Sequence, residues 1–257
     1  MKTPAPIFAF VSSDAPGARE SAARLAALYG QHSIEQANVI VALGGDGFML
    51  QTLRETMSSG KRVYGMNRGT VGFLMNEFSE ENLRERVSAA IAEDIRPLEM
   101  EAVDEAGKVT RALAINEVSL FRQSYQAAKL RILVDGKERL EDLICDGIMV
   151  ATPAGSTAYN LSAHGPILPL DAPLLALTPV SPFRPRRWRG ALLPNKSVVR
   201  FEVQESVKRP VNAVADNVEV KSVVSVDVRE APDMTATILF DASHSWDDRI
   251  LAEQFRY

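Results

Sequence analysis

Val39 to Leu43 are consecutive apolar residues that run directly into Gly44-Gly45-Asp46-Gly47, and beyond that loop Met49, Leu50, Leu53 and Met57 recur at helical spacing. A short apolar run ending in glycines reads as a buried strand, and the period that follows reads as one face of a helix. Strand–turn–helix units of this kind build parallel sheets covered by helices. The neighbouring segments repeat the pattern. Ile7 to Val11 is an earlier strand-like run, approached through Pro4 and Pro6, and too short and interrupted for a leader peptide. Ser13 or Asp14 is a candidate helix cap ahead of Pro16, with Ala22, Leu25, Ala26 and Tyr29 on one face and Gly30 as the stop. Arg62 to Met66 reads as a third strand. Ser79 is expected to cap a helix whose apolar face is Leu83, Val87, Ala90 and Ile91.

After Pro97 the texture changes to short β-prone runs separated by turns. Leu130 to Val134 followed by Asp135-Gly136 predicts a hairpin, because Asp-Gly suits a tight type I′ turn. Ser197 to Val203, Val211 to Ala215 and Val223 to Val228 are further candidate strands, with Asp216-Asn217 as one of the turns. The expected organisation is an α/β domain over 1–95, a domain of two packed β-sheets over 96–237, and a terminal segment over 238–257. Its helix starts at Ser245 and carries Ile250, Leu251 and Phe255 on an apolar face. A helix that short is marginal alone and must dock.

Composition narrows the function classes. The chain has 257 residues, 46% apolar and 24% charged, with 29 Lys plus Arg against 33 Asp plus Glu for a net charge of -4. That is globular composition, and without a basic excess neither nucleic acid nor an anionic membrane surface is an expected partner. No run approaches the ~20 apolar residues of a membrane span. The single cysteine, Cys145, cannot form an internal disulfide, which suits a reducing compartment and makes the cytoplasm the expected location. Cys145 is read as a buried, inert thiol. His32, His164 and His244 have no metal-ligand spacing among them, and no protein metal ligands are assigned.

Four segments carry candidate chemistry. In Gly44-Gly45-Asp46-Gly47, glycines let backbone N–H groups approach phosphate oxygens, and the following helix N-terminus adds positive potential. Asp46 repels a phosphate there unless it binds a metal or takes a proton from a hydroxyl; otherwise it is an ordinary helix cap. The loop matches neither the dinucleotide G-x-G-x-x-G nor the Walker pattern. Asn67 to Leu74 is a second glycine-rich segment following a strand, which would lie at the same sheet edge, where α/β sheets bind ligands. Asn116-Glu117 combines donors and acceptors suited to ribose hydroxyls, or is a polar strand end. Asp146 to Pro166 leads a strand into Pro153-Ala154-Gly155-Ser156-Thr157, where Ser156 or Thr157 can cap a short helix. Arg184, Arg186, Arg187 and Arg189 around Trp188 form a basic run that suits solvent, a subunit interface or ATP phosphates.

In this order the four segments resemble the NAD kinase family across most of the chain, most specifically in the Pro-x-Gly-Ser-Thr-Ala-Tyr string. The resemblance implies a Rossmann-like N-terminal α/β domain and a C-terminal all-β sandwich. It implies transfer of the ATP γ-phosphate to the adenosine ribose 2′-OH of NAD, with Asp46 as general base and Gly44, Gly45 and Gly47 in the phosphate-donor loop. It places NAD contacts at Asp46, Gly47, Asn116, Glu117, Asp146, Ala154, Thr157, Ala158, Tyr159, Asn160, Leu161 and Ser162. It also implies Mg²⁺ as the divalent cofactor, a homo-oligomer (dimer or tetramer), and a terminal segment that returns to the first domain. Ala154, His164, Ile144 and Val218 depart from the family pattern, where Thr, Gly, Arg and Gln are usual or frequent. Two further readings are a lipid kinase that shares the Gly-Gly-Asp-Gly loop and a non-catalytic NAD(P) sensor.

Overall fold

The computed structural model describes residues 5–69, 72–242, 246, 249–251 and 255. The chain divides into two compact units, one of residues 1–95 with 234–257 and one of residues 96–233. The return to the first unit therefore begins at 234, ahead of the 238 expected from sequence.

In the first unit, strand β1 (Phe8–Ser12), helix α1 (Pro16–Tyr29), β2 (Val39–Gly44), α2 (Asp46–Thr56) and β3 (Arg62–Asn67) follow the alternation read from sequence. β1, β2 and β3 pair in parallel, with Val39 opposite both Phe8 and Arg62. β2 is buried along its whole length, as a central strand covered on both faces must be. Phe8, Leu25, Val41, Leu43, Tyr64 and Met66 pack into the unit's core.

The sheet is mixed rather than purely parallel. Helix α3 spans only Leu83–Ala89, and strand β4 (Ile91–Ile95) follows it. Ile91, expected on the helix face, instead pairs with Phe240 in an antiparallel ladder. That partner strand, Ala236–Phe240, lies between β3 and β4 in the five-stranded sheet. An apolar run this short fits either period, and pairing with a distant segment decided it.

Two expected caps are also corrected. Ala15 occupies the N-cap of α1 with Pro16 in the first turn, so neither Ser13 nor Asp14 caps it. Asn82 precedes α3, while the Ser79 hydroxyl accepts from the Glu81 N–H one step earlier, at 3.2 Å. In the terminal segment Trp246 and Ile250 are buried, whereas Leu251 and Phe255 are exposed. The Trp246 ring packs on Phe240 at 5.8 Å, so the tryptophan carries the docking. Ser245 lies outside the described residues.

The second unit is built of strands β5 (Leu98–Asp104), β6 (Val109–Ala114), β7 (Glu117–Arg122), β8 (Ala128–Val134), β9 (Lys137–Cys145), β10 (Gly147–Ala151), β11 (Leu174–Val180), β12 (Ala191–Pro194), β13 (Val199–Val203), β14 (Val211–Ala215), β15 (Val218–Val220) and β16 (Val223–Glu230). Two six-stranded sheets form, ordered β12-β11-β10-β7-β14-β15 and β6-β5-β16-β13-β8-β9. Leu98, Met100, Leu130 and Phe201 from one sheet share a single core with Val118, Leu120, Ile148 and Val150 from the other, which makes the unit a sandwich. Asp135 and Gly136, both at positive φ, make the predicted hairpin turn between β8 and β9. Between β10 and β11 a 3-10 turn (Ala154–Thr157) and one helical turn, α4 (Tyr159–Ser162), replace the expected capped helix. Ala158, and not Ser156 or Thr157, precedes α4.

Phe201 is fully buried at the centre of this core. Truncation of such a ring leaves a cavity, so Phe201→Ala is expected to lower unfolding stability by about 3–5 kcal/mol. Urea unfolding of the two proteins measures the difference.

Candidate active site

The site residues form two groups, one in each unit. In the first unit β2 ends at Gly44 and α2 starts at Asp46, with extended Gly45 between them. A Cβ at Gly44 would strike the Phe48 side chain at 2.9 Å, so glycine is required there by close packing. Gly45 and Gly47 differ: neither has a positive φ, and an added Cβ would meet no atom within 4 Å. Nothing in this unit's own packing demands glycine at those two positions. The loop after β3 joins this edge, because the Arg68 N–H donates to the Gly44 carbonyl at 2.8 Å. Within the Asn67–Leu74 segment, Thr70 and Val71 lie outside the described residues.

Asp46 is the first residue of α2, yet its side chain does not cap that helix. Its carboxylate accepts from the Phe73 N–H at 2.7 Å and the Leu74 N–H at 3.0 Å. A side chain at Gly72 would collide with the carboxylate. Burial pushes the Asp46 pKa up, and the two N–H donors and the Arg249 guanidinium pull against that rise. Arg249, which sequence reasoning missed, donates to the Phe73 carbonyl at 2.7 Å and to the Met75 carbonyl, and its guanidinium lies 5.0 Å from the Phe240 ring centre. It therefore braces the same loop that holds Asp46. Nearby, Asp241 accepts from the Tyr64 hydroxyl at 2.5 Å and pairs with Arg86 at 2.6 Å, while its N–H donates to Asn76 at 2.9 Å. No motif marks Arg249, since it stands in a segment without glycine or a repeated pattern.

In the second unit, strand alternation separates core from site. Val118 and Leu120 of β7 enter the sandwich core, which turns Glu117, Ser119 and Phe121 to the other face. On β10, Ala151, Met149 and Gly147 lie opposite them. A side chain at Gly147 would strike the Phe121 ring. That ring stacks on Tyr159, with centres 5.6 Å apart and an interplanar angle of 23°. Tyr159, Asp146, Phe121, Arg122, Tyr125 and Val180 line a cleft of about 600 Å³. In it Asp146 pairs with the Arg122 guanidinium at 2.6 Å.

Asn116 and Glu117 stand at the other end of β7, against Gly155, where any side chain would overlap the Asn116 main chain. The Asp216 carboxylate accepts from the N–H groups of Ile115, Asn116 and Glu117, at 2.7, 3.0 and 3.3 Å. Burial, with Asp216 adding negative charge, raises the Glu117 pKa to about 7. Glu117 Oε2 is buried without a hydrogen-bond partner among the described residues. An orphaned buried acceptor of this kind suits a hydroxyl donor from a ligand.

The remaining predicted residues fall on the adjoining loop. Ala154 is buried beside Gly155, the Thr157 hydroxyl faces the Ala154 carbonyl at 3.5 Å, and the Ala158 N–H closes the turn on Gly155. Leu161 is half-buried and Ser162 exposed. Asn160 is different. Its amide donates to the Ser156 and Pro166 carbonyls at 3.0 and 2.9 Å and accepts from the Thr178 hydroxyl at 2.6 Å, so it braces the loop from inside. Cys145 is buried, its thiol pushed up to about 12 by burial and by Asp146, which makes it inert. His32 and His164 are exposed. In the basic run, Trp188 packs against the sandwich core and the four arginines face solvent.

A glycine-edged carboxylate in an α/β unit and buried donors and acceptors on a β-sandwich are groups that suit a nucleotide-handling enzyme class, and comparison with known proteins agrees. Residues 12–95 match the family model of the ATP-NAD kinase N-terminal domain, and residues 115–239 match that of the ATP-NAD kinase C-terminal domain. The chain is 69% identical over 257 residues to the NAD kinase of Mesorhizobium japonicum, covering 100% of both chains. It is 66% identical to the NAD kinase of Rhizobium meliloti, covering 96% of each. Among solved structures, yeast NADH kinase complexed with NADH superposes with a TM-score of 0.81 at 22% identity, covering 99% of this chain and 88% of that one. The NAD kinase from Archaeoglobus fulgidus in complex with ATP gives a TM-score of 0.74 at 23% identity, covering 96% and 97%. The protein belongs to the ATP-NAD kinase family.

Loss of the cation that opposes the rise should move Asp46 further. In Arg249→Gln the carboxyl of Asp46 is expected to titrate at higher pH than in the parent protein. Carbon-detected NMR titration of the side-chain carboxyls reads the midpoint directly.

Proposed function

We propose that the protein transfers the γ-phosphate of ATP to the 2′-hydroxyl of the adenosine ribose of NAD, giving NADP and ADP. The observation that carries this reading is Asp46, a carboxylate fixed by two main-chain N–H groups beside glycines whose Cα atoms are left bare. Family membership and the NAD kinases of high identity support it.

A ribose hydroxyl is a weak nucleophile at neutral pH, so it must lose its proton as it attacks. In the proposed step the 2′-oxygen forms its bond to the γ-phosphorus, the bond from that phosphorus to the ADP oxygen breaks, and the hydroxyl proton passes to Asp46. Burial raises the proton affinity of that carboxylate, which suits a base. The N–H groups of the glycine loop, at the start of α2, would hold phosphate oxygens. Asn116 and Glu117 would grip the dinucleotide, the orphaned Glu117 oxygen accepting from a ribose hydroxyl. Tyr159, stacked on Phe121, would offer a flat apolar face to a base ring.

Among the described residues no three His, Cys, Asp or Glu side chains converge as a metal cage. Mg²⁺ is commonly held by one or two carboxylates with the substrate's own phosphates, so it would enter as MgATP. Each Asp46 oxygen accepts one N–H bond and retains acceptor capacity toward such an ion. We also propose the homo-oligomeric state expected from the family resemblance and the cytoplasmic location expected from the single cysteine.

Purified protein with ATP, Mg²⁺ and NAD is expected to accumulate NADP, followed with an NADP-specific dehydrogenase; absence of NADP overturns the reading. Asp46→Asn should bind NAD as the parent does while kcat falls by roughly 10²- to 10⁴-fold. Glu117 gives a pH signature. With a pKa of about 7 it is neutral below that pH and a full acceptor above it. The KM for NAD should therefore fall as pH rises through about 7 and then level off, and Glu117→Gln should flatten that step.

A further inference from the structure

We propose that Asp216, seconded by Thr152, is the positioning residue of the dinucleotide pocket, setting the main-chain turn that aims the Asn116 and Glu117 side chains at NAD. This rests on the reading of that pair as the NAD grip.

The turn lies where the chain leaves β6 in one sheet and enters β7 in the other. It cannot draw on a continuous ladder there, yet it is too buried to leave main-chain groups unpaired. Two side chains from elsewhere complete it. The Asp216 carboxylate takes the N–H groups of Ile115, Asn116 and Glu117, at 2.7, 3.0 and 3.3 Å, and the Asp216 N–H returns to the Glu117 carbonyl at 3.2 Å. Thr152 supplies the rest. Its hydroxyl donates to the Ile115 carbonyl at 2.7 Å and its N–H to the Asn116 carbonyl at 2.9 Å. Every main-chain donor and acceptor of residues 115–117 is thereby matched by Asp216 or Thr152. The same Thr152 hydroxyl accepts from the Gly155 N–H at 3.0 Å, so the clamp also seats the Ala154–Thr157 turn against Asn116.

The chemistry of the clamp is specific. Three parallel N–H donors need two acceptor oxygens and favour a negative charge. Asparagine keeps the shape but provides one acceptor and turns an NH₂ toward a main-chain N–H. Asp216 itself sits at φ 49°, a left-handed conformation that Asp and Asn tolerate better than other side chains, so the substitution preserves the turn between β14 and β15. Neither Asp216 nor Thr152 need touch the substrate, so their loss should be felt in dinucleotide affinity while ATP handling is spared.

The test is steady-state kinetics of Asp216→Asn and Thr152→Val beside Glu117→Ala, with thermal melting of each. The expected result is a rise in the KM for NAD of about tenfold in both clamp variants, as for the net loss of about one hydrogen bond. The KM for ATP and kcat should stay within about twofold, and Thr152→Ser should recover most of the affinity lost in Thr152→Val. A KM for NAD at the parent level in Asp216→Asn, with Glu117→Ala impaired, overturns the inference alone. So does a parallel loss of NAD affinity, ATP affinity and kcat with a lowered melting temperature, which marks a merely structural role. Parent-level NAD affinity in Glu117→Ala overturns the reading of the pair and the inference with it. Should Asp216→Asn fail to fold, the Thr152→Val and Thr152→Ser pair decides by the same criteria.

Discussion

A carboxylate that accepts from main-chain N–H groups shapes a loop that neither a helix nor a sheet can hold, and the candidate residues of each unit depend on that interaction. Asp46 takes two amides from the loop over 72–74, and Asp216 takes three from the turn over 115–117. The same bond serves opposite ends. At Asp46 the loop holds the acid, leaving a defined carboxylate against a glycine-lined edge. At Asp216 the acid holds the loop, so that other side chains are presented. Charge-assisted bonds of this kind are short and directional, which suits positions where a small displacement costs reactivity.

The sandwich positions its candidate residues through the two-residue period of a single strand. β7 sends Val118 and Leu120 inward and Glu117 and Phe121 outward, so core packing and the proposed recognition occupy opposite faces of the same backbone. Gly147 on the neighbouring strand makes room for the Phe121 ring, and Tyr159 lies on that ring in turn. Core pressure on the inner residues thus fixes the outer ones in register.

Much of this was legible in the residues. Strand–glycine–helix alternation exposed β1 to β3 and α1 to α2, because periodicity and glycine placement are local signals. Asp135-Gly136 marked its hairpin for the same reason. Ile91 did not show its strand, since its partner at Phe240 is remote in sequence. Asn160 read as a ligand contact, and only the folded loop displays that its amide also bonds Ser156, Pro166 and Thr178. Asp216 read as a turn residue and Arg249 as nothing in particular, although each braces a site loop. The loop groups they hold are main-chain groups, which carry no sequence identity, and for such contacts the sequence holds no pattern to find.

The strand over Ala236–Phe240 has a consequence for how the molecule is made. It lies between β3 and β4, yet the ribosome delivers it only after the entire sandwich. During synthesis β3 and β4 stand with bare, unladdered flanks while the later unit already possesses all its strands. The nascent α/β half is thus the last to close although it emerges first, and it is in that interval that it is most exposed to chaperones and to mispairing with other chains.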